Sequence, residues 1–335
     1  MASRLRIRLG TRASALARWQ ADWVAARLTE LENEVVLVPI TTSGDRHQQQ
    51  AIGELGGRGL FTKEIQRGLL DAEIDLAVHS LKDLPTDEVP GLALAAVPTR
   101  ASVADVLVCR QAASFEELPQ GAVVGTGSLR RRAQLLSLRP DLRIEDIRGN
   151  VDTRLRKLAQ GDYDATVLAE AGLRRLGLIV DDDAAASGTA PLVVRSGAAP
   201  AGDRAQFLAI RLTPPMVLPA VGQGALGLET RSDDRPVREA VERLSDPESW
   251  ASALAERAML AALRGGCLAP IAAWGRIENG ALVLTGRVLA TDGGRKLEAS
   301  SRGDLAEPVR LGHRVADELL SQGAAELIEA SRRRE

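Results

Sequence analysis

The spacing of apolar and polar positions predicts a chain that begins with alternating strands and helices. Residues 4–9 alternate basic with apolar side chains, which is a strand pattern. Apolar residues recur at helical spacing in residues 16–31 and again in residues 61–70. Further strands are predicted at residues 34–40, 74–78 and 92–97. Strand–helix alternation of this kind predicts a mainly parallel sheet.

A second run of the same kind follows a polar connection, which we interpret as a hinge between two domains. Its predicted strands are residues 105–109, 123–124, 143–147 and 165–168, and its predicted helices are residues 128–138, 151–158 and 170–176. Residues 181–212 are rich in Ala, Gly, Asp and Pro and are predicted to form a surface excursion or mobile loop. The glycine-rich residues 217–230 are expected to return the chain to the first domain.

From about residue 247 the pattern predicts a small α+β domain. An amphipathic helix at residues 249–263 precedes three alternating segments, which Asn-Gly and Asp-Gly-Gly turns separate as in hairpins. We therefore expect two similar doubly wound α/β domains with mainly parallel sheets, and a C-terminal α+β domain with a three-stranded antiparallel sheet. The expected boundaries are 1–99 plus about 218–243, then 104–180 with 181–212 as an inserted loop, then 247–335.

Composition restricts the classes of partner. The chain has 335 residues, which favours two or three domains, and its 43 basic and 45 acidic residues leave a net charge of -2. This balance argues against a nucleic-acid binder, which needs a basic excess. The chain start lacks the apolar segment of a signal peptide, and no stretch has the length and hydrophobicity of a membrane span. We expect a cytoplasmic protein with no membrane or nucleic-acid partner.

Four polar side chains follow the predicted strand 74–78 directly. They are His79, Ser80, Lys82 and Asp83. Open α/β sheets bind ligands at the carboxyl ends of their strands, so this segment is a candidate site. Asp83 could be a structural counter-ion, or an acid/base group that balances positive charge on a reacting centre. The alternative is a capped strand end with a solvated Lys–Asp pair.

Helix starts in both α/β runs carry hydroxyl groups and arginines. Ser14 and Ser128 follow Gly-Thr turns and could cap free amides, and such helix starts also attract anions. The helix dipole disfavours cations in a first turn, so an arginine cluster there indicates an anionic guest. The pattern places five arginines at strand C-terminal ends: Arg12, Arg130, Arg131, Arg148 and Arg154. We predict a pocket for a polyanion, but not for a nucleotide, because no phosphate-binding glycine motif is present.

The two cysteines make no disulfide framework and have different surroundings. Cys267 follows two glycines and is either a small buried hydrophobe or a thiolate nucleophile that takes up a covalent adduct. Cys109 lies in an apolar strand and is expected to be a buried hydrophobe. His47, His79 and His313 lack metal-ligand spacing, so no metal site is expected.

Five motifs in order along nearly the whole chain resemble the porphobilinogen deaminases, also called hydroxymethylbilane synthases. They are HSLKDLP at residues 79–85, GTGSLRRRAQL at 125–135, RGNVDTRL at 148–155, LPAVGQGALG at 218–227 and LRGGCLAPI at 263–271. GTRAS at residues 10–14 and GGRGLFTKE at 56–64 fit as well. The family's glycine-rich loop usually carries lysines, whereas this chain has Arg58 and Glu54 there. Arg58 keeps the positive charge.

The resemblance implies a transferase of tetrapyrrole and haem biosynthesis. It would condense four porphobilinogen molecules head to tail, with loss of ammonia, into hydroxymethylbilane on a dipyrromethane cofactor held by a thioether. Cys267 would carry that cofactor and Asp83 would be the catalytic carboxylate. The residues implied to bind the cofactor are Ser80, Lys82, Thr126, Ser128, Arg130 and Arg131. Those implied to bind substrate are Arg12, Ser14, Arg148 and Arg154.

The predicted anion pocket is compatible with this chemistry, because each pyrrole carries an acetate and a propionate. The implied partners are porphobilinogen and the growing oligopyrrole, and we expect a monomer. A non-catalytic two-lobed anion-binding module, built like a periplasmic binding protein, is the alternative. A phosphate-ester enzyme is a more distant one.

Overall fold

The computed structural model describes residues 5–41, 62–180, 191–196, 206–266 and 269–332. The strands are β1 (Arg6–Thr11), β2 (Glu34–Pro39), β3 (Leu76–Ser80), β4 (Leu92–Ala96), β5 (Asp105–Cys109), β6 (Val123–Gly125), β7 (Arg143–Glu145), β8 (Ala165–Ala169), β9 (Ile179–Val180), β10 (Leu192–Arg195), β11 (Gln206–Leu212), β12 (Leu226–Arg231), β13 (Ile271–Glu278), β14 (Ala281–Leu289) and β15 (Lys296–Gly303).

The described residues also form nine helices. They are α1 (Ala15–Glu30), α2 (Lys63–Leu70), α3 (Leu129–Leu138), α4 (Val151–Gln160), α5 (Glu170–Arg175), α6 (Arg235–Glu242), α7 (Pro247–Ala262), α8 (Pro308–Ser321) and α9 (Ala324–Arg332). A single 3₁₀ turn, Leu81–Asp83, follows β3. Within these ranges no helix is long and apolar enough to cross a membrane.

The first sheet has the strand order β2-β1-β3-β12-β4. β1 pairs in parallel with β2 and β3, whereas β12 pairs antiparallel with β3 and β4. The alternation along β1 buries Ile7 and Leu9 against Val24 and Leu28 of α1. The expected return of the chain to this sheet is confirmed, since β12 lies about 150 residues after β3 in the sequence.

The second sheet has the order β7-β6-β8-β5-β11-β10-β9. Its first three strands are parallel, and the others pair antiparallel. The interpretation of residues 181–212 as an inserted surface loop is wrong for its described part, because β10 and β11 belong to this sheet. Phe207, Ala209 and Leu212 are buried there. Each strand has only a short alternation of apolar residues, and the residues around it are rich in Ala, Gly, Asp and Pro. The composition of the whole segment therefore favoured a loop.

The third sheet is the expected antiparallel meander β13-β14-β15. Met259 of α7 and Val315 and Leu319 of α8 pack with Leu282 and Leu284 of β14 in one fully buried cluster. Two α/β sheets and this small sheet confirm the predicted fold class. Each α/β sheet is mixed rather than uniformly parallel, because β12 in the first sheet and β5 and β10 in the second run against their neighbours.

A fully buried carboxylate, Glu256 of α7, connects the three sheets. Arg100, in the connection between β4 and β5, donates to both of its oxygens at 2.7 and 3.0 Å. The backbone amides of Gly222 and Gly275 each donate to it at 2.7 Å. Glu256 therefore bonds to the β4–β5 connection, to β13, and to residues 213–225 between β11 and β12, which we call the crossing segment.

Replacing Glu256 by Gln should lower the free energy of unfolding by about 3–5 kcal/mol, because the buried Arg100 guanidinium loses its charge partner. Denaturant unfolding followed by circular dichroism measures this. Glu239→Gln is the matched control, since it removes one side of the exposed pair with Arg235 and should barely move the midpoint. Equal shifts for the two variants would contradict the assignment of Glu256 as the connecting group.

Candidate active site

Asp83 ends the 3₁₀ turn that follows β3 and is exposed to solvent. Buried Leu81 anchors the turn from below, and Leu84 is extended, as the following Pro85 requires. Gly222 of the crossing segment lies against the turn: a Cβ there would come within 3.1 Å of the Lys82 amide nitrogen. Because Gly222 has no side chain, the backbone of the crossing segment can pack directly against the turn that carries Asp83.

Two cavities, of about 360 and 320 Å³, have Asp83 in their lining. We call the larger one cavity 1 and the smaller one cavity 2. The residues that line both are Lys82, Asp83, Arg131, Arg148 and Arg154. Asp83 is therefore the acidic side chain that the two cavities share, and the other shared residues are all basic.

Cavity 1 lies between elements of the first and second sheets. Arg12, Ser14 and Ser80 line it from the first, and Arg175 lines it from α5. The structure thus brings the predicted substrate-binding residues together with the turn that carries Asp83.

Cavity 2 is lined by Ser128 and Arg130 and, from the loop after α7, by Gly265, Gly266 and Ala269. Cys267 itself lies outside the described residues, as do His47, Glu54 and Arg58. The described residues on both sides of Cys267 nevertheless line the cavity that holds Arg130 and Asp83.

Two residues of the predicted site motifs, Thr126 and His79, do not line either cavity. Thr126 is buried and lines neither cavity, and its hydroxyl accepts a hydrogen bond from the Ser128 amide at 3.2 Å. His79 is buried behind the turn, with its Nε2 2.9 Å from Glu229 Oε2. In the part of the chain that the structure describes, no cluster of His, Cys, Asp or Glu could hold a metal ion.

The serines at the helix starts do cap their helices. Ser14 accepts from the Ala17 amide at 3.3 Å, and Ser128 accepts from the Arg131 amide at 3.5 Å. Both also line a cavity. Capping and cavity lining are therefore compatible roles for the same hydroxyl group.

The sequence analysis missed Asp105, the counter-ion of two predicted arginines. Arg130 Nη1 donates to Asp105 Oδ2 at 2.8 Å, and Arg131 Nη2 donates to Oδ1 at 2.7 Å. Burial alone would raise the pKa of Asp105, but the two guanidinium groups outweigh it and hold that pKa well below its usual range. An acid at the start of an otherwise apolar strand was the available signal, because a buried charge needs a partner.

Even with Asp105, the site has an excess of positive charge. Burial lowers the pKa of Lys82 to about 8, and Arg130 and Arg131 add to the shift while Asp83 and Asp105 oppose it. Burial, together with Arg131 and Arg148, lowers the pKa of Arg154 to about 10. Cations that repel one another in this way are stabilised by a bound anion.

Arg175 is a further cavity residue that the sequence analysis missed. Its Nη2 donates to the Gly224 carbonyl at 2.7 Å, and its guanidinium lies 5.8 Å from the centre of the Trp19 ring. Burial lowers its pKa to about 10. The other arginines were identified because they directly follow predicted strands. Arg175 lies at the end of a short helix, so the sequence pattern did not single it out.

Two buried polar atoms of cavity-2 residues lack a hydrogen-bond partner among the described residues. They are the Nε donor of Arg130 and the Oε1 acceptor of Gln223. Both atoms are enclosed by the protein, so the fit of a ligand rests on the charged lining of cavity 2. Dipyrromethane carries acetate and propionate groups, which fit a cavity lined by Lys82, Arg130 and Arg131.

Comparison with solved structures finds distant similarity to bacterial binding proteins. An arginine-specific periplasmic binding protein from Salmonella typhimurium is 15% identical, with 73% of this chain and 94% of that chain covered and a TM-score of 0.36. The methionine-binding protein MetQ is 13% identical, with 76% and 93% covered and a TM-score of 0.40. Similarity at this level adds nothing to the fold described above.

Comparison with curated proteins finds close relatives. The porphobilinogen deaminase of Syntrophotalea carbinolica is 43% identical over 326 residues, which are 97% of this chain and 95% of that protein. The porphobilinogen deaminase of Acidithiobacillus ferrooxidans is 45% identical over 325 residues, 96% of this chain and 97% of that protein.

Two family models match consecutive parts of the sequence. The model of the "Porphobilinogen deaminase, dipyromethane cofactor binding domain" matches residues 7–239, and that of the "Porphobilinogen deaminase, C-terminal domain" matches residues 250–321. Together with the relatives, these matches show that the chain belongs to the porphobilinogen deaminase family of transferases.

Proposed function

We propose that the four porphobilinogen molecules of the family's reaction are joined around Asp83, which acts as the catalytic carboxylate, on a dipyrromethane cofactor attached to Cys267. The observation that carries this proposal is the position of Asp83 in the lining of both cavities, among Lys82, Arg131, Arg148 and Arg154. One carboxylate among these cations can meet a ligand in either cavity.

Cavity 2 is the proposed cofactor site. When bound, the cofactor supplies a covalently held primer of two pyrroles to which substrate units are added. Gly265, Gly266 and Ala269 line this cavity on both sides of Cys267, which supports attachment there. The side chains of this cavity proposed to hold its acid groups are Lys82, Ser128, Arg130 and Arg131, whereas Ser80, also expected to bind the cofactor, lines cavity 1. Thr126 contributes by fixing the Ser128 amide.

Cavity 1 is the proposed substrate site. Arg12, Ser14, Arg148 and Arg154 line it and can bind the acetate and propionate of porphobilinogen through charge-assisted hydrogen bonds. Holding the acid groups leaves the aminomethyl end free to approach the shared wall. This arrangement assigns specificity to the carboxylates and reactivity to the opposite end of the substrate.

Asp83 has two tasks in this proposal. The departing amine of porphobilinogen needs a proton, and the ring that it leaves becomes electron-poor with positive charge at its nitrogen. A carboxylate at the junction can move that proton and stabilise the charge as it develops. Asp83 is the carboxylate that lines both cavities, whereas Asp152 lines only cavity 1 and Asp87 only cavity 2. The alternative, a non-catalytic anion-binding module, has no support in the family assignment.

We further propose the domain division 1–99 with about 218–243, then 104–180, then 247–335. Sheet membership supports it, with the correction that β10 and β11 extend the second domain. A monomeric state and a cytoplasmic location complete the proposal. Light scattering of the purified protein and cell fractionation test these two points.

Intact-mass measurement tests the attachment residue. The purified chain should carry an added mass of two linked pyrrole units, and Cys267→Ser should lack it because the oxygen is a poorer nucleophile than a thiolate. Cys109→Ala is the control: Cys109 is buried, burial raises its pKa to about 12, and this variant should keep the adduct. An adduct on Cys267→Ser would refute attachment at that residue.

Asp83→Asn tests the catalytic carboxylate. Turnover should fall by roughly 10²–10⁴-fold, because the amide can neither take up a proton nor balance the positive ring. The adduct and the unfolding midpoint should be retained. Glu88→Gln, at an exposed acid that lines neither cavity, is the control and should stay active. Near-normal turnover of Asp83→Asn would remove this residue from the reaction.

The lowered pKa of Lys82 predicts a pH dependence of cofactor loading. Protonated Lys82 can hold a carboxylate, and this form is lost as pH rises through about 8, whereas an arginine stays charged. The ratio of loading rates of the unaltered chain to Lys82→Arg, followed by mass against pH, should therefore fall above pH 8. A constant ratio would exclude a role for the charge.

The lowered pKa of Lys82 also predicts that the folding stability of the cofactor-free chain rises with pH. The folded-state pKa of Lys82 lies below the ~10.4 of an unfolded lysine, so burying the charged form costs stability below pH 8. This cost decreases as pH rises from about 8 to ~10.4. The cofactor-free chain should gain stability over this window relative to Lys82→Arg.

A further inference from the structure

Asp152 is an acidic residue of cavity 1 to which the proposed function assigns no role. It lies in the first turn of α4 and lines the cavity together with Asp83. The other charged residues of the described lining are all basic: Arg12, Lys82, Arg131, Arg148, Arg154 and Arg175. Asp152 is therefore the one described acid that lines cavity 1 without also lining cavity 2.

The basic side chains nearest to Asp152 in the sequence do not use its carboxylate. Arg148 Nη2 donates to Asp146 Oδ2 at 3.2 Å, and Arg154 Nε donates to the Gly149 carbonyl at 2.9 Å. Within the described part of the chain, the Asp152 side chain forms no hydrogen bond and no ion pair. Asp152 is also partly exposed, so a ligand in cavity 1 can reach it.

The helix itself does not require this carboxylate in the cavity. Asn150 caps α4, since its Oδ1 accepts a hydrogen bond from the Thr153 amide at 2.9 Å. An acid in a first turn also interacts favourably with the helix dipole, but it does so equally well when it faces bulk solvent. In the lining of cavity 1 the negative charge of Asp152 repels the acid groups of an anionic ligand. Its position there has a use only if the ligand also carries a positive group.

Porphobilinogen carries such a group. Its acetate and propionate are negative at neutral pH, but its aminomethyl group is a primary amine and, like the amine of lysine with its pKa of ~10.4, is protonated there. The basic residues of cavity 1 repel an ammonium group, and they have no acceptor to offer it. A carboxylate has both the charge and the acceptors. Asp83 is shared with cavity 2 and is the proposed catalytic group, which leaves Asp152 for the ammonium.

We propose that Asp152 is a specificity-determining residue of cavity 1, whose carboxylate accepts a charge-assisted hydrogen bond from the ammonium group of porphobilinogen. This rests on the proposed function, since it takes cavity 1 as the substrate site. The arginines bind the two acid groups, and Asp152 binds the opposite charge. Once ammonia has been released, the joined unit carries no cation, and the same carboxylate repels its acid groups. Asp152 thus favours the monomer over the oligopyrrole in cavity 1.

Asp152→Asn tests the charge through its effect on two ligands of the cofactor-loaded protein. One is porphobilinogen, and the other is the same pyrrole with a methyl group in place of the aminomethyl group, an unreactive inhibitor with negative charges only. The KM of porphobilinogen should rise roughly 3–10-fold, because a charge-assisted hydrogen bond at a partly exposed site is lost. The inhibition constant of the methyl analogue should fall, because a repulsion is lost. An unchanged KM, or a change of both constants in the same direction, overturns the proposal.

Asp162→Asn is the matched control. Asp162 follows the other end of α4, is exposed and lines neither cavity, so this variant should leave both constants unchanged. Asp152→Glu retains the charge and should keep most of the preference for porphobilinogen over the methyl analogue; a loss equal to that of Asp152→Asn would contradict the proposal. Should Asp152→Asn not fold, Asp152→Ser must show the same opposite changes. Absence of turnover in the unaltered chain would instead refute the proposed function.

Discussion

The buried group of Asp105, Arg130 and Arg131 is the interaction on which the site depends. One carboxylate at the start of β5 holds two guanidinium groups in the first turn of α3, where the helix dipole opposes them. Arg131 also donates to the Val167 carbonyl of β8 at 2.8 Å, so the group is joined to the sheet itself. Without Asp105, two buried charges would be uncompensated, a cost of several kcal/mol. With it, both guanidinium groups are held by hydrogen bonds, and one positive charge of the group remains in excess.

Helix α7 is hydrogen-bonded both to the connection between the α/β sheets and to the segment that follows Asp83. Its Glu256 holds Arg100 and two backbone amides. The next residue, Arg257, donates to the carbonyls of Leu84 and Pro85 at 2.9 and 2.7 Å, directly after Asp83. The helix that leads to the loop of Cys267 is thus bonded to the segment of the proposed catalytic carboxylate. Hydrogen bonds to backbone carbonyls therefore hold the segment that follows Asp83 against α7.

Local patterns predicted those parts of the fold and site that local physics determines. The turn after β3, the serine caps and the C-terminal meander each depend on neighbouring residues, and the structure has them. The sequence hid what depends on pairing across the fold. Asp105 lies 25 residues before Arg130, and Gln223 lies 118 after Asp105, so neither partnership has a sequence period. Strands β10 and β11 were missed because their sheet neighbours, and not their composition, make them strands.

The positive charges alone do not define the ligand. Guanidinium groups bind phosphates and carboxylates alike, so the arginine pattern indicates a polyanion, and the resemblance to the family identified it as an oligopyrrole. The lowered pKa values of Lys82 and Arg154 indicate what such an anion contributes to the site. Cations that lie this close together destabilise one another, and a ligand with several carboxylates relieves that repulsion. Binding of the acid groups and the charge balance around Asp83, the carboxylate that the two cavities share, therefore depend on the same cluster of basic side chains.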